Sequence, residues 1–106
     1  MTVLAYLRFV LAGGADRESF ERDLAAVSRL AEGQPGFRWS ETGRDPWNDR
    51  RYVVVSEWDE VDQVRAFEHH PEHEAIIHRW ESRYEEEFVH RRFVPWIRPE
   101  ADKATV

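Results

Sequence analysis

Two stretches of this chain alternate strictly and yet are apolar on both faces, which narrows the possible folds more than any other feature. From Val3 to Val10, Val3, Ala5, Leu7 and Phe9 fall on one side, and Leu4, Tyr6, Arg8 and Val10 on the other. From Arg51 to Trp58, Tyr52, Val54, Ser56 and Trp58 oppose Arg51, Val53, Val55 and Glu57. Period-two alternation predicts strands. A sheet built from such strands needs cover on both sides, because a bare face would be a large exposed apolar patch.

The segments between them supply only one layer of cover. Asp16 is placed to cap a helix running to about Glu32, with Gly33 as its stop and Phe20, Leu24, Val27 and Ala31 along one face. Pro35-Gly36 turns the chain into a strand, Phe37 to Thr42, that carries Trp39. Gly43 to Asn48 then punctuates a hairpin. Asp59 is expected to cap a short helix bearing Val61, Val64 and Phe67, and Pro71 to start a second helical segment. A last strand is expected over about Phe88 to Ile97. The order strand, helix, strand, strand, helix, strand is the split βαβ pattern, an α+β fold with a four-stranded antiparallel sheet and helices on one face. The other face is expected to be covered by a second copy, giving a homodimer. One domain over residues 1–98 and a polar tail from Pro99 to Val106 complete the organisation.

Composition removes several function classes. The chain has 106 residues and a formal net charge of −6, which argues against general affinity for nucleic acid or an anionic membrane. With no cysteine, thiolate metal sites and cysteine nucleophiles are excluded. No apolar run approaches the ~18 residues of a membrane helix, and a cytoplasmic protein is expected. Ser40 and Ser56 lack a nucleophile elbow around them, and Gly13-Gly14 is a bare turn rather than a phosphate loop.

His73 carries most of the chemical information. His73, Ile77, Trp80 and Tyr84 share one helix face, so an imidazole sits among three large apolar side chains. Such a histidine can act as a base toward a phenolic hydroxyl or bind haem iron; equally, its ring can simply bond a backbone carbonyl. His73 and His78 are five residues apart and point about 140° away from each other at ~100° per residue. His70 and His73 have the spacing of a chelating pair but no evident third ligand, so no metal site is expected. Trp58 and Trp39 are candidate walls for a planar substrate, or core. Tyr6 and Arg8 share a side of the first strand, where they could hold a ligand hydroxyl or carboxylate. Arg92 and His90 lie on one face of the last strand, and an arginine among apolar residues needs a partner, either an acidic group of the second protomer or an anionic ligand.

Three runs give the chain a familiar outline: Gln34-Pro35-Gly36-Phe37, Tyr52-Val53-Val54-Val55-Ser56-Glu57-Trp58, and Phe67-Glu68-His69-His70-Pro71-Glu72-His73. Together they resemble the antibiotic biosynthesis monooxygenase-like family, over roughly Val3 to Ile97. The resemblance implies a ferredoxin-like dimeric α+β barrel with a pocket between sheet and helices in each protomer. Members include cofactor-independent oxygenases of polyketide anthrones and quinols, haem-degrading oxygenases, and proteins of other activity. Trp58 falls on the family's tryptophan at the end of the third strand, and His73 lies close to its helix histidine. Anthrone-oxidising members have an asparagine where this chain has Val54. Haem-degrading members have one on the first strand, whereas the only asparagine here is Asn48.

These readings converge on a homodimeric monooxygenase of secondary metabolism that oxidises an electron-rich aromatic, a polyketide phenol, anthrone or quinol, with molecular oxygen and no cofactor. His73 and Trp58 are the expected catalytic residues, and Tyr6, Arg8, Trp39, Phe67, Ile77, Trp80 and Arg92 the expected substrate contacts. The alternatives are haem binding or degradation through His73, and a non-oxygenase accessory protein that binds a biosynthetic intermediate.

Overall fold

A computed structural model describes residues 1–98; the tail expected from Pro99 lies outside the described residues. In chain order the elements are β1 (Val3–Val10), α1 (Arg17–Glu32), β2 (Phe37–Asp45), β3 (Asn48–Trp58), α2 (Val61–Glu68), α3 (Pro71–Trp80) and β4 (Val89–Phe93). The strands form one four-stranded sheet in the order β2-β3-β1-β4, and every neighbouring pair is antiparallel. This is the expected ferredoxin-like α+β arrangement, with α1, α2 and α3 as its helices.

Register assigns the two strand faces. Val3, Ala5, Leu7 and Phe9 pair with Trp58, Ser56, Val54 and Tyr52. These side chains meet the helices in two clusters, Val3, Ala5 and Trp58 with Ala31, Val64 and Phe67, and Phe9 and Tyr52 with Leu11, Phe20 and Trp80. The opposite face carries Leu4, Tyr6, Val53 and Val55, all half-buried. Glu57 lies there as well, 1% exposed, accepting from Trp39 Nε1 at 2.7 Å and from Arg98 Nη2 at 2.5 Å. Those donors hold its carboxyl down at about 2, overcoming the opposite push of burial.

Three boundaries differ from the sequence reading. The hairpin turn is only Pro46 and Trp47, because the Asp45 carboxylate accepts from the Trp47 N–H and from Arg51, both at 2.8 Å, and steadies the strands to their ends. β4 stops at Phe93 instead of Ile97. Its partner there is Leu4, near the start of β1, and Pro95 has no N–H to extend the ladder. The α2 cap is Glu60, whose N–H donates to Gln63 Oε1 at 3.0 Å. Asp59 is committed elsewhere, its carboxylate to Arg38 Nε at 2.6 Å and its N–H to the Gly36 carbonyl at 2.8 Å. Gly36 has φ 83°, and a Cβ there would lie 1.8 Å from Gln63 Oε1. Both the backbone and the α2 cap therefore require glycine.

Candidate functional site

The main cavity opens between β1, β4 and the paired helices α2 and α3, with a volume of about 370 Å³. Its floor is Ala5, Leu7 and Phe9 of β1, its roof Val64, Phe67, His73 and Ile77, and its open side Phe88, His90 and Arg92. The i, i+4 spacing of His73 and Ile77 puts both on the cavity side of α3. A larger open depression of about 530 Å³ lies against Tyr52 and Glu21. Its ionisable groups are already paired, Tyr52 to Glu21 at 2.7 Å and Arg44 to Glu21 at 3.3 Å, so it offers less unused chemistry.

Local sequence places His73 firmly. His70 caps α3, its Nδ1 accepting from the Glu72 N–H at 3.2 Å, and Pro71 opens the first turn. That role removes His70 from any chelating pair with His73. The His73 ring is 8% exposed and stands edge-on to Phe67 at 4.7 Å. It makes a backbone hydrogen bond with Glu68, while its Nδ1 is buried without a partner. Desolvation pushes the ring's pKa below the ordinary histidine value, despite opposite pulls from Glu68 and Glu74. The result is a neutral imidazole with one unpartnered ring nitrogen in an apolar setting.

The other expected residues divide sharply. Phe67, Ile77 and Arg92 join His73 in the cavity wall. Trp58 does not: it is 0% exposed, stacked on the far side of Phe67 at 5.2 Å, with Nε1 donating to Ser56 Oγ at 3.0 Å. It backs the wall rather than forming it. Trp80 is core, its Nε1 donating to Asp23 at 2.7 Å. Tyr6, Arg8 and Trp39 lie on the opposite face of the sheet, where Tyr6 meets Phe93, Arg8 reaches Glu86 and Trp39 bonds Glu57. Alternation decides this, since the cavity takes the Ala5–Leu7–Phe9 side of β1 and leaves the even-numbered residues outside.

Arg92 has an acidic partner within its own chain. Its guanidinium pairs with Glu68, whose other carboxylate oxygen lies 3.0 Å from His90 Nε2. Glu68 was absent from the expected site, although it falls four residues after Val64 on the face that α2 turns inward. Its backbone orients His73 and its side chain ties α2 to β4. Glu68, Glu74 and Glu81 together make the cavity acidic along its helical side. That rim does not suit haem, whose propionates would meet carboxylates while the nearby arginine is already paired. Among the described residues no group of three or more His, Asp or Glu side chains converges on a metal position. None of the described helices is long and apolar enough to cross a membrane.

The family model for antibiotic biosynthesis monooxygenases matches residues 1–79. The chain belongs to that family. A Bacillus subtilis relative, YqjZ, is 37% identical over 62 residues. The match takes in 58% of this chain and about half, 53%, of that relative. Among solved structures, SnoaB of Streptomyces nogalater, described as a cofactor-independent oxygenase, aligns with a TM-score of 0.81 at 22% identity. That alignment covers 93% of this chain and 98% of SnoaB. Rv0793 of Mycobacterium tuberculosis aligns with a TM-score of 0.84 at 12% identity, over 94% of this chain and 100% of its own. A dimeric ferredoxin-like protein of Thermobifida fusca aligns at 0.73 and 21% identity, covering 90% and 92%. At these identities the structures show a shared fold.

Proposed function

We propose that this member of the monooxygenase family oxidises an electron-rich aromatic, such as a polyketide phenol, anthrone or quinol, with dioxygen and no added metal or flavin. The observation that carries the reading is the buried, neutral His73 with its unpartnered Nδ1 on a cavity walled by Leu7, Phe9, Phe67 and Phe88. His73 takes a proton from the substrate, and the resulting anion is the reductant. For an anthrone the ring CH₂ becomes C=O: the carbon gives four electrons to dioxygen, one oxygen atom stays on carbon, and the other leaves as water. The dry wall keeps water from reprotonating the anion before it meets oxygen. An acidic rim admits a neutral phenol more readily than a carboxylate. The shared fold of SnoaB, described as a cofactor-independent oxygenase, supports the reading.

A homodimer forms part of this proposal. Leu4, Tyr6, Val53 and Val55 lie on the sheet face away from the helices, and Trp96, just after β4, is 91% exposed. A second copy laid on that face buries them, as the dimeric Thermobifida fusca neighbour suggests. Sedimentation at about twice 12.7 kDa is expected, and a monomer at micromolar concentration would remove this element.

Oxygen consumption with the anthrone dithranol, corrected for its spontaneous oxidation, tests the reaction. The expected result is turnover that falls ~10²–10⁴-fold in His73→Ala, with the fold intact by circular dichroism. Tight dithranol binding without turnover would instead make the chain an accessory binding protein. A sharp Soret band on adding haem, lost in His73→Ala, would move it to the haem proteins.

A further inference from the structure

Behind the main cavity lies a second, narrower chamber of about 50 Å³, bounded by β1, β3, α1 and α3. We propose that this chamber is a binding site for dioxygen, which it delivers across the His73 side of its wall. The inference rests on the oxygenase reading above and adds to it a separate place for the second reactant.

Size is the first argument. Cavities that hold benzene run to ~150 Å³, whereas one water needs only ~10–15 Å³ of accessible space. A chamber of 50 Å³ therefore takes a diatomic gas and excludes an aromatic ring. The wall is the second. Leu24, Val27, Val54 and Ile76 line it with saturated carbon and Phe20 with an aromatic face. Its charged member, Asp23, is occupied by Trp80 Nε1 at 2.7 Å and Arg79 at 3.0 Å. An ordered water needs two to four polar partners, and the unpaired groups at this wall are His73 Nδ1 and the Ser28 and Tyr84 hydroxyls, so water is the competitor the experiment has to exclude. An apolar gas needs none, and dioxygen dissolves better in hydrocarbon than in water. Val54 contributes by adding no further partner for a water at that strand position.

Position is the third argument. Leu7, Phe9, His73 and Ile77 belong to the walls of both spaces. Gas in the chamber is thus separated from a substrate in the cavity by one layer of side chains, and the proton acceptor stands in that layer. An anion formed beside His73 meets oxygen from the protein side, while its other side faces the cavity mouth.

Xenon, an apolar atom of similar girth, is the probe. Crystals held under xenon pressure should show the atom between Val54, Leu24 and His73. Val54→Leu, or Leu24→Phe should the first variant fold poorly, should displace it. The same variant should raise the apparent KM for dioxygen three-fold or more in dithranol oxidation and leave the KM for dithranol within two-fold. An ordered water in place of xenon, or no xenon in the wild-type chamber, overturns the proposal. So does a filled chamber with an unchanged KM for dioxygen. Xenon bound in a protein that does not oxidise dithranol leaves the gas site standing and removes the oxygenase reading alone.

Discussion

Replacing His73 with leucine isolates one ring's contribution to acid sensitivity. Burial holds the folded pKa of His73 below its ordinary value, which is about 6.5 in an unfolded chain. Above that pH both states are neutral and the ring adds no pH dependence. As pH falls through it, the unfolded chain binds a proton that the folded protein refuses, so stability drops with a limiting slope of ~1.4 kcal/mol per unit. The loss stops growing only once the pH is below the folded pKa. If the folded ring stays neutral, the integrated loss between pH 6.5 and 5.5 is about 1 kcal/mol. His69, His70, His78 and His90 are common to both proteins and cancel in the difference. Urea melts at pH 7.5, 6.5 and 5.5, at fixed protein concentration because association adds its own stability, give the comparison. The wild type should lose about 1 kcal/mol more than His73→Leu over the lower step. Parallel curves would refute the claim that the ring is held neutral by burial, and with it the argument for a neutral base.

Two further perturbations probe the surroundings of the site. Trp58→Ala should cost ~3–5 kcal/mol, because a ring packed between Phe37 and Phe67 leaves a hole that the sheet cannot close; a thermal shift of only a degree or two would show that the wall behind Phe67 collapses instead. Glu57, with its folded carboxyl at about 2, supplies stability that is present above the ordinary carboxylate range and is lost as pH falls from there toward 2. Glu57→Gln should therefore flatten the acid limb of a tryptophan-fluorescence titration, and an unchanged acid midpoint would count against that pairing.

Alternation and punctuation were enough to place β1, α1, β3, Pro71 and the antiparallel sheet, because the period of a strand and the φ of a proline are properties of a few adjacent residues. The same local information put His73 and Ile77 on one apolar helix face, and it flagged Arg92 as needing an anionic partner, from a second protomer or a ligand. It had no means of naming Glu68 as that partner, since residues 24 apart meet only when α2 and β4 pack together. Nor could it decide which side of β1 faces the cavity. Both sides are apolar, so Tyr6 and Arg8 looked as eligible as Leu7 and Phe9 until the helices took the odd-numbered face. Trp58 shows the same limit: its strand position was legible, but one ring of Phe67 stands between it and the cavity. Sequence set the elements and the chemistry each could offer. Packing, which joins residues far apart in the chain and hides others a few ångströms from the site, decided which of them share a wall.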